Sequence, residues 1–234
     1  MNAKRTVEAP RQRRTQEQRS STTRAKVIAA AIDCLYRLGY AGTTTAAIAS
    51  AAGVSRGALL HHFPSKDELL IAVSSEVLTN SLQGLSAELL EIEDPKERLL
   101  SLPELAWKGI LTPDYMAWLE IWLGTRGDDQ LRARFGHAYD VVNKQAAKAM
   151  RAMAAEAGVK DLARMEHLRK VLLAALRGLA IEGAILADVR GFNPAVAEMR
   201  AMVEHFIAAP EATEKPAGKA PGKRASVPAK RAKR

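Results

Sequence analysis

The chain has 234 residues, 47% of them hydrophobic and 26% charged, enough to bury the core of one ordinary domain or of a small domain beside a larger one. Its net charge of +9 sits at the ends: residues 1–24 carry seven basic and two acidic side chains and residues 209–234 carry eight and two, leaving −2 for residues 25–208. A single cysteine, Cys34, excludes an internal disulfide; the polar first 21 residues lack the apolar stretch of a secretory signal, and no run approaches the ~18 apolar residues of a membrane helix, so a cytoplasmic protein without a membrane partner is expected.

Abundant alanine, few β-branched runs and only 5% aromatic residues favour helix. Residues 1–21 form a basic arm expected to be disordered. From Thr22 to Leu38 the apolar residues Val27, Ile28, Ala31, Ile32, Leu35 and Leu38 recur at three- and four-residue spacing, with Thr22 or Thr23 as cap and Gly39 as terminator. A short helix follows from Thr44 to Ala52 and is broken at Gly53. Ser55 is placed to cap a third helix that Pro64 stops near Phe63. Ser65 and Glu68 then have capping-box spacing ahead of a long helix running from Lys66 into the eighties.

Further helices are expected from Pro95 to about Leu111, from Pro113, from Asp128 or Asp129 to Gly158, over the apolar stretch 162–189, and from Asn193-Pro194 to about Ala208. No segment alternates with period two, so the fold class is all-α. The last 26 residues, rich in Pro, Ala, Gly and Lys, lack an apolar face and are expected to be a disordered basic tail. The organisation is therefore an arm (1–21), a compact helical domain (22–68), a larger helical domain (69–208) and a tail (209–234).

Two short helices joined by the tight turn Ala52-Gly53-Val54-Ser55 have the spacing of a helix-turn-helix, whose second helix enters the DNA major groove; an ordinary helical corner has the same spacing. The adjacent His61 and His62 project about 100° apart on a helix, unlike the i, i+4 pair a chelate needs. No nucleophile–base pair, metal cluster or phosphate loop is apparent, so neither an enzyme nor a cofactor is implied. Thr43, Thr44 and Thr45 open the second helix, where hydroxyls and free N–H groups suit both capping and a phosphate. Arg56 begins the third helix, placed to take guanine bidentately, and Gly57 would permit close backbone approach, while Ser55 caps.

The run GYAGTTTAAIASAAGVSRGALLHHFPSKDELL, residues 39–70, closely resembles the DNA-binding domain of TetR-family transcriptional regulators. The shared positions are Gly39, Tyr40, Thr43, Thr44, Ile48, Ala49, Ala52, Gly53, Val54, Ser55, Gly57, Leu59, Phe63, Ser65, Lys66 and Leu69. The resemblance implies phosphate contacts from His61 and Lys66, with His62 packed at the junction with the next helix. Leu60 departs from the family's usual tyrosine: either a phosphate contact is lost or Leu60 makes an apolar contact to DNA.

The resemblance further implies a homodimer formed through the last two helices, a palindromic DNA operator and a small-molecule effector held in the larger domain. The small residues of stretch 162–189 suit close helix crossing, and the apolar side chains from Leu172 to Phe206 exceed what one helix partner covers. Trp107, Tyr115, Met116, Trp118, Leu119 and Trp122 are candidates for an apolar or aromatic effector site, with His137 and Arg177 as polar groups; packing in the core explains the aromatics equally well. The expected function is sequence-specific transcriptional regulation, most simply repression, with association to the nucleoid when bound to DNA. The alternative is an architectural DNA-binding protein that uses the basic tails and no effector.

Overall fold

Capping chemistry and turn residues divide the chain into helices whose apolar faces meet in one continuous core. The computed structural model describes residues 16–208, so the terminal arm up to residue 15 and the tail from residue 209 lie outside the described residues. Ten α-helices occur there, with no strand among the described residues: α1 (Gln16–Gly42), α2 (Thr45–Ala52), α3 (Arg56–His62), α4 (Lys66–Leu90), α5 (Pro95–Leu100), α6 (Leu102–Ile110), α7 (Pro113–Gly124), α8 (Asp129–Glu156), α9 (Leu162–Leu186) and α10 (Asn193–Ala208).

The caps expected at Thr44, Ser55 and Ser65 are in place. Thr44 Oγ1 accepts from Ala47 N at 3.1 Å, Ser55 Oγ from Ala58 N at 3.1 Å and Ser65 Oγ from Glu68 N at 3.1 Å. Gly53 takes the turn between α2 and α3 in the left-handed conformation, at φ 64° and ψ 35°. At Gly39, also at positive φ, the chain kinks before one last helical turn to Gly42.

Three boundaries differ from the sequence expectation. The first helix starts at Gln16, inside the stretch expected to be a disordered arm, so Thr22 and Thr23 lie within α1 and do not cap it. The helix expected from Pro95 to Leu111 is two helices, because a continuous one would place Pro103 in its interior, without an N–H for the Leu99 carbonyl and with its ring against it. Ser101 N instead closes α5 on Glu97 O at 2.9 Å, and Pro103 sits in the first turn of α6. The apolar stretch expected to stay helical to residue 189 stops at Leu186, with Ala187 in the left-handed region at φ 53°.

α1 lies along α7, and α4 runs through the middle of the fold against α1, α6, α7 and α8. Trp118 of α7 is fully buried at the centre. Its indole Nε1 donates to Ser74 Oγ of α4 at 3.0 Å, and the rings of Tyr115, Trp122, Phe135 and Tyr139 surround it at centroid distances of 5.2 to 6.1 Å. Trp107 is buried apart from this cluster, with Nε1 donating to Asn193 Oδ1 at 3.0 Å where α6 meets α10.

The side chains expected to share one dimer surface divide. Leu172, Leu176 and Met199 are buried within the chain, whereas Ile185 and Met202 are exposed. The correction follows from α9 packing on α6 and α8 through its other face.

Ser74 is fully buried, so replacing it by alanine strands the Trp118 indole N–H without water. Ser74→Ala should cost about 1–3 kcal/mol, measured by urea unfolding monitored through tryptophan fluorescence. A change within error would show that the indole finds another acceptor.

Candidate functional site

The α2–turn–α3 unit presents one buried and one open face. Ile48, Ala49 and Leu59 are buried in the core that α2 and α3 share with α1, and the partly buried Val54 packs in the angle between the two helices. On the opposite side Thr44, Ser55, Arg56, Gly57, Leu60 and His61 are exposed, and Thr45 is half-buried. Arg56 makes no ion pair or hydrogen bond with any described residue, leaving all five of its N–H donors available. Leu60, 36% exposed, stands beside it. His61 points outward while His62 is half-buried, and the two rings meet edge to face at 5.4 Å. No group of three or more His, Cys, Asp or Glu placed to hold a metal occurs among the described residues.

Thr43 leaves this face. It is fully buried, and its hydroxyl donates to Gly39 O at 2.7 Å, fastening the kink at the end of α1. A side chain so enclosed does not reach a phosphate, which corrects the sequence expectation; Thr44, the helix cap, stays at the surface.

Lys66 is half-buried rather than extended into solvent. Its ammonium donates to Tyr40 O at 3.2 Å and lies 4.5 Å from the centre of the Tyr40 ring; burial draws its pKa down from the ordinary lysine value, against a smaller opposite effect of Asp67. Tyr40 is held from the other side too. Its N–H donates to Glu120 Oε2 of α7 at 3.0 Å, and its ring occupies the space where a side chain at Gly124 would be. Arg134 of α8 pairs with Glu68 of α4 at 2.6 Å alongside. The helix-turn-helix is thus fastened to the larger domain at the start of α4.

Behind that junction lies a cavity of about 740 Å³, within the range of small-molecule sites. α4 supplies Val77, Leu78, Leu82 and Leu89 to its wall, and α6, α8 and α9 supply Ile110, Met150, Met153, Leu172 and Leu176. Of the side chains expected in an effector site, Tyr115 and Arg177 line it. Trp107, Met116, Trp118, Leu119, Trp122 and His137 do not: Trp107, Trp118 and Leu119 are buried in packing, and Trp122 and His137 are exposed. Aromatic content drew attention to α7, but the cavity is walled chiefly by aliphatic residues of α4 and α8, whose sequences carry no such signal. Tyr139, Asn143 and Arg169 are also on its wall; each is a single polar or aromatic residue with no spacing pattern, and only the packing of α8 and α9 brings them together.

A compact helical unit with an open recognition-type helix, fused to a helical domain with a cavity, defines the class of helix-turn-helix proteins. Residues 27–73 match the family model for bacterial regulatory proteins of the tetR family. Through residues 27–73 the chain is similar to the DNA-binding domain of tetR-family regulators. It is 36% identical over 120 residues to the HTH-type transcriptional regulator CymR of Pseudomonas putida, an alignment covering 51% of this chain and 59% of that relative. A transcriptional-regulator structure from Saccharomonospora viridis in complex with choline is 28% identical, with a TM-score of 0.58 over 80% of this chain and 96% of that one. A Rhodococcus transcriptional regulator shares the fold at 21% identity, TM-score 0.63, over 80% of this chain and 99% of that one. The aligned segment thus covers about three-fifths of CymR's own length. No helix among the described residues is long and apolar enough to cross a membrane.

Nothing among the described residues requires glycine at position 57. A Cβ there would meet only Ser55 Oγ, at 3.9 Å, and the position is helical. Gly57→Ala should leave the fold intact and raise its stability by up to about 1 kcal/mol in thermal or urea unfolding. Marked destabilisation would mean that the fold, not an external surface, needs this glycine.

Proposed function

We propose that the chain is a homodimeric, sequence-specific DNA-binding transcriptional regulator, a repressor released from a roughly palindromic operator when a small apolar or aromatic molecule fills the cavity. The observation that carries this reading is the division of α3, with Leu59 anchored in the core and Arg56, Gly57, Leu60 and His61 open on the other side. The likeness to these regulators supports it.

In this reading α3 enters the major groove and Arg56 discriminates bases, while Leu60 offers an apolar contact to a thymine methyl. Thr44, Thr45 and His61 hold phosphates, and Ser55 caps the helix. Lys66 spends one N–H on Tyr40 and keeps two for the DNA backbone. The bareness of Gly57 lets the backbone of α3 approach the groove.

The dimer would form on α9 and α10. Val171, Ile185 and Leu186 are 63%, 77% and 60% exposed, and Ala174 and Gly178 lie on the same open side of α9; Met202 of α10 is 58% exposed. Such an apolar stripe on a final helix pair suits a second copy of itself. The two recognition helices would then meet half-sites separated by a multiple of about one DNA turn.

The effector would act through α4. This helix starts beside Tyr40 and walls the cavity from Val77 onward, about 16 Å along its axis. A ligand that binds better when α4 is displaced lowers operator affinity by the same coupling free energy with which DNA lowers ligand affinity. The cavity favours an effector-responsive protein over an architectural one.

An operator selected from a random duplex pool permits the test. Arg56→Ala should reduce discrimination between operator and scrambled DNA by about 1–3 kcal/mol, while Thr44→Val should weaken binding to both equally. If both variants lose discrimination alike, the division of roles is wrong. Gly57→Ala should bind the operator more weakly although it folds. Separately, Ile185→Asp should sediment as a monomer; an unchanged dimer would place the interface elsewhere.

A further inference from the structure

Arg177 of α9 lines the cavity with only 6% of its surface exposed. Aromatic rings crowd its guanidinium: Trp118 and Trp122 at 4.8 Å, Tyr139 at 5.5 Å and Tyr115 at 5.9 Å from carbon to ring centre. Nε donates to Tyr115 Oη at 3.0 Å and Nη1 to Tyr139 Oη at 3.4 Å. Nη2 donates to no described residue, and no described carboxylate lies within ion-pair distance of Arg177.

The other charges on the cavity wall are accounted for differently. Arg169 is held by Glu166 through two bonds of 2.8 Å and by Asn143 at 2.8 Å; that pairing holds the Glu166 carboxyl below its ordinary range. Arg98 pairs with Glu156 at 2.9 Å and Glu88 with Lys108 at 3.0 Å. Asp114 is exposed at the start of α7 and makes no ion pair with a described residue. Arg177 is thus the buried charge of the cavity wall that lacks an ion partner among the described residues. Ring faces and phenol oxygens compensate it in part; an anion would complete it.

We infer that the cavity takes an amphiphilic carboxylate, its carboxylate seated on Arg177 and its apolar body lying against the aliphatic side chains of α4, α6 and α8. This deepens the ligand-binding reading proposed above and rests on it. Tyr115 assists. Burial pushes its phenol pKa up despite the pull of Arg177, so the hydroxyl stays protonated and retains its own proton to donate to the same anion. A cationic ligand is disfavoured, because Arg177 already lies against the ring faces that would bind it. The pocket therefore differs in chemistry from one that takes choline.

The test uses matched probes on the full chain: 4-butylbenzoate and decanoate, their alcohols 4-butylbenzyl alcohol and decanol, and decyltrimethylammonium. Binding is measured by calorimetry and thermal shift. The carboxylates should bind at least about tenfold more tightly than their alcohols, and the ammonium more weakly than either. Arg177→Met should erase that preference while still binding the alcohols. Arg177→Lys, which keeps the charge but not the fork, should retain part of it and serves if the methionine variant does not fold. Alcohols binding as well as carboxylates, or an unchanged preference in the folded Arg177 variants, overturns the anion assignment and leaves a ligand cavity standing. No saturable binding by any probe overturns the cavity reading together with it.

Discussion

Tyr40 lies where it does because position 124 has no side chain. Its ring fills the space above Gly124, its N–H reaches Glu120, and its carbonyl and ring hold the Lys66 ammonium. These contacts join the end of α1, the start of α4 and the last turn of α7, which together support the helix-turn-helix. The geometry of α2 and α3 is thereby set from outside that unit as well as within it. Caps at Thr44, Ser55 and Ser65 decide where the helices start, but the Tyr40 seat decides how they stand on the larger domain.

A contiguous set of contacts runs from the cavity to this seat. Arg177 stacks against Trp118, whose indole is bonded to Ser74; eight residues earlier in the same helix is Lys66 on Tyr40. The route is made of a buried guanidinium, a buried indole and a buried hydroxyl, all with little room to move independently. Occupation of the cavity has a short, densely packed path to the support of the exposed helix. The path is also polar at its joints, so its register depends on hydrogen bonds of defined direction rather than on apolar contact alone.

Local chemistry made much of the fold legible in the sequence. Ser65 three residues before Glu68, Gly53 between two short apolar faces and Pro113 at a helix start each act within a few residues, and each does what its spacing implies. Where a local rule was passed over, the expectation failed: Pro103 divides α5 from α6 because its backbone has no N–H to give. Thr43 could not be separated from Thr44 and Thr45 by sequence, since its burial depends on the kink at Gly39. The cavity was legible only in part. Its walls come from helices far apart in the chain; of the tryptophans that suggested a pocket, Trp107 and Trp118 fill space in the core and Trp122 is exposed. Arg177 was expected only as a polar group of an effector site; its lack of an ion partner among the described residues depends on what α7 and α8 bring against α9.

The Tyr40 seat bears on what counts as a separable unit. The boundary near residue 68 divides helices by role, yet Glu120, Gly124 and Arg134 lie beyond it and grip Tyr40 and Glu68 on the near side. A fragment ending there would expose the α1 surface that α7 covers and leave the Tyr40 ring in water. The helix-turn-helix and the cavity helices thus belong to one cooperative folding unit at this seam, and local opening of α7 would loosen α3 before any backbone bond in α3 itself was broken.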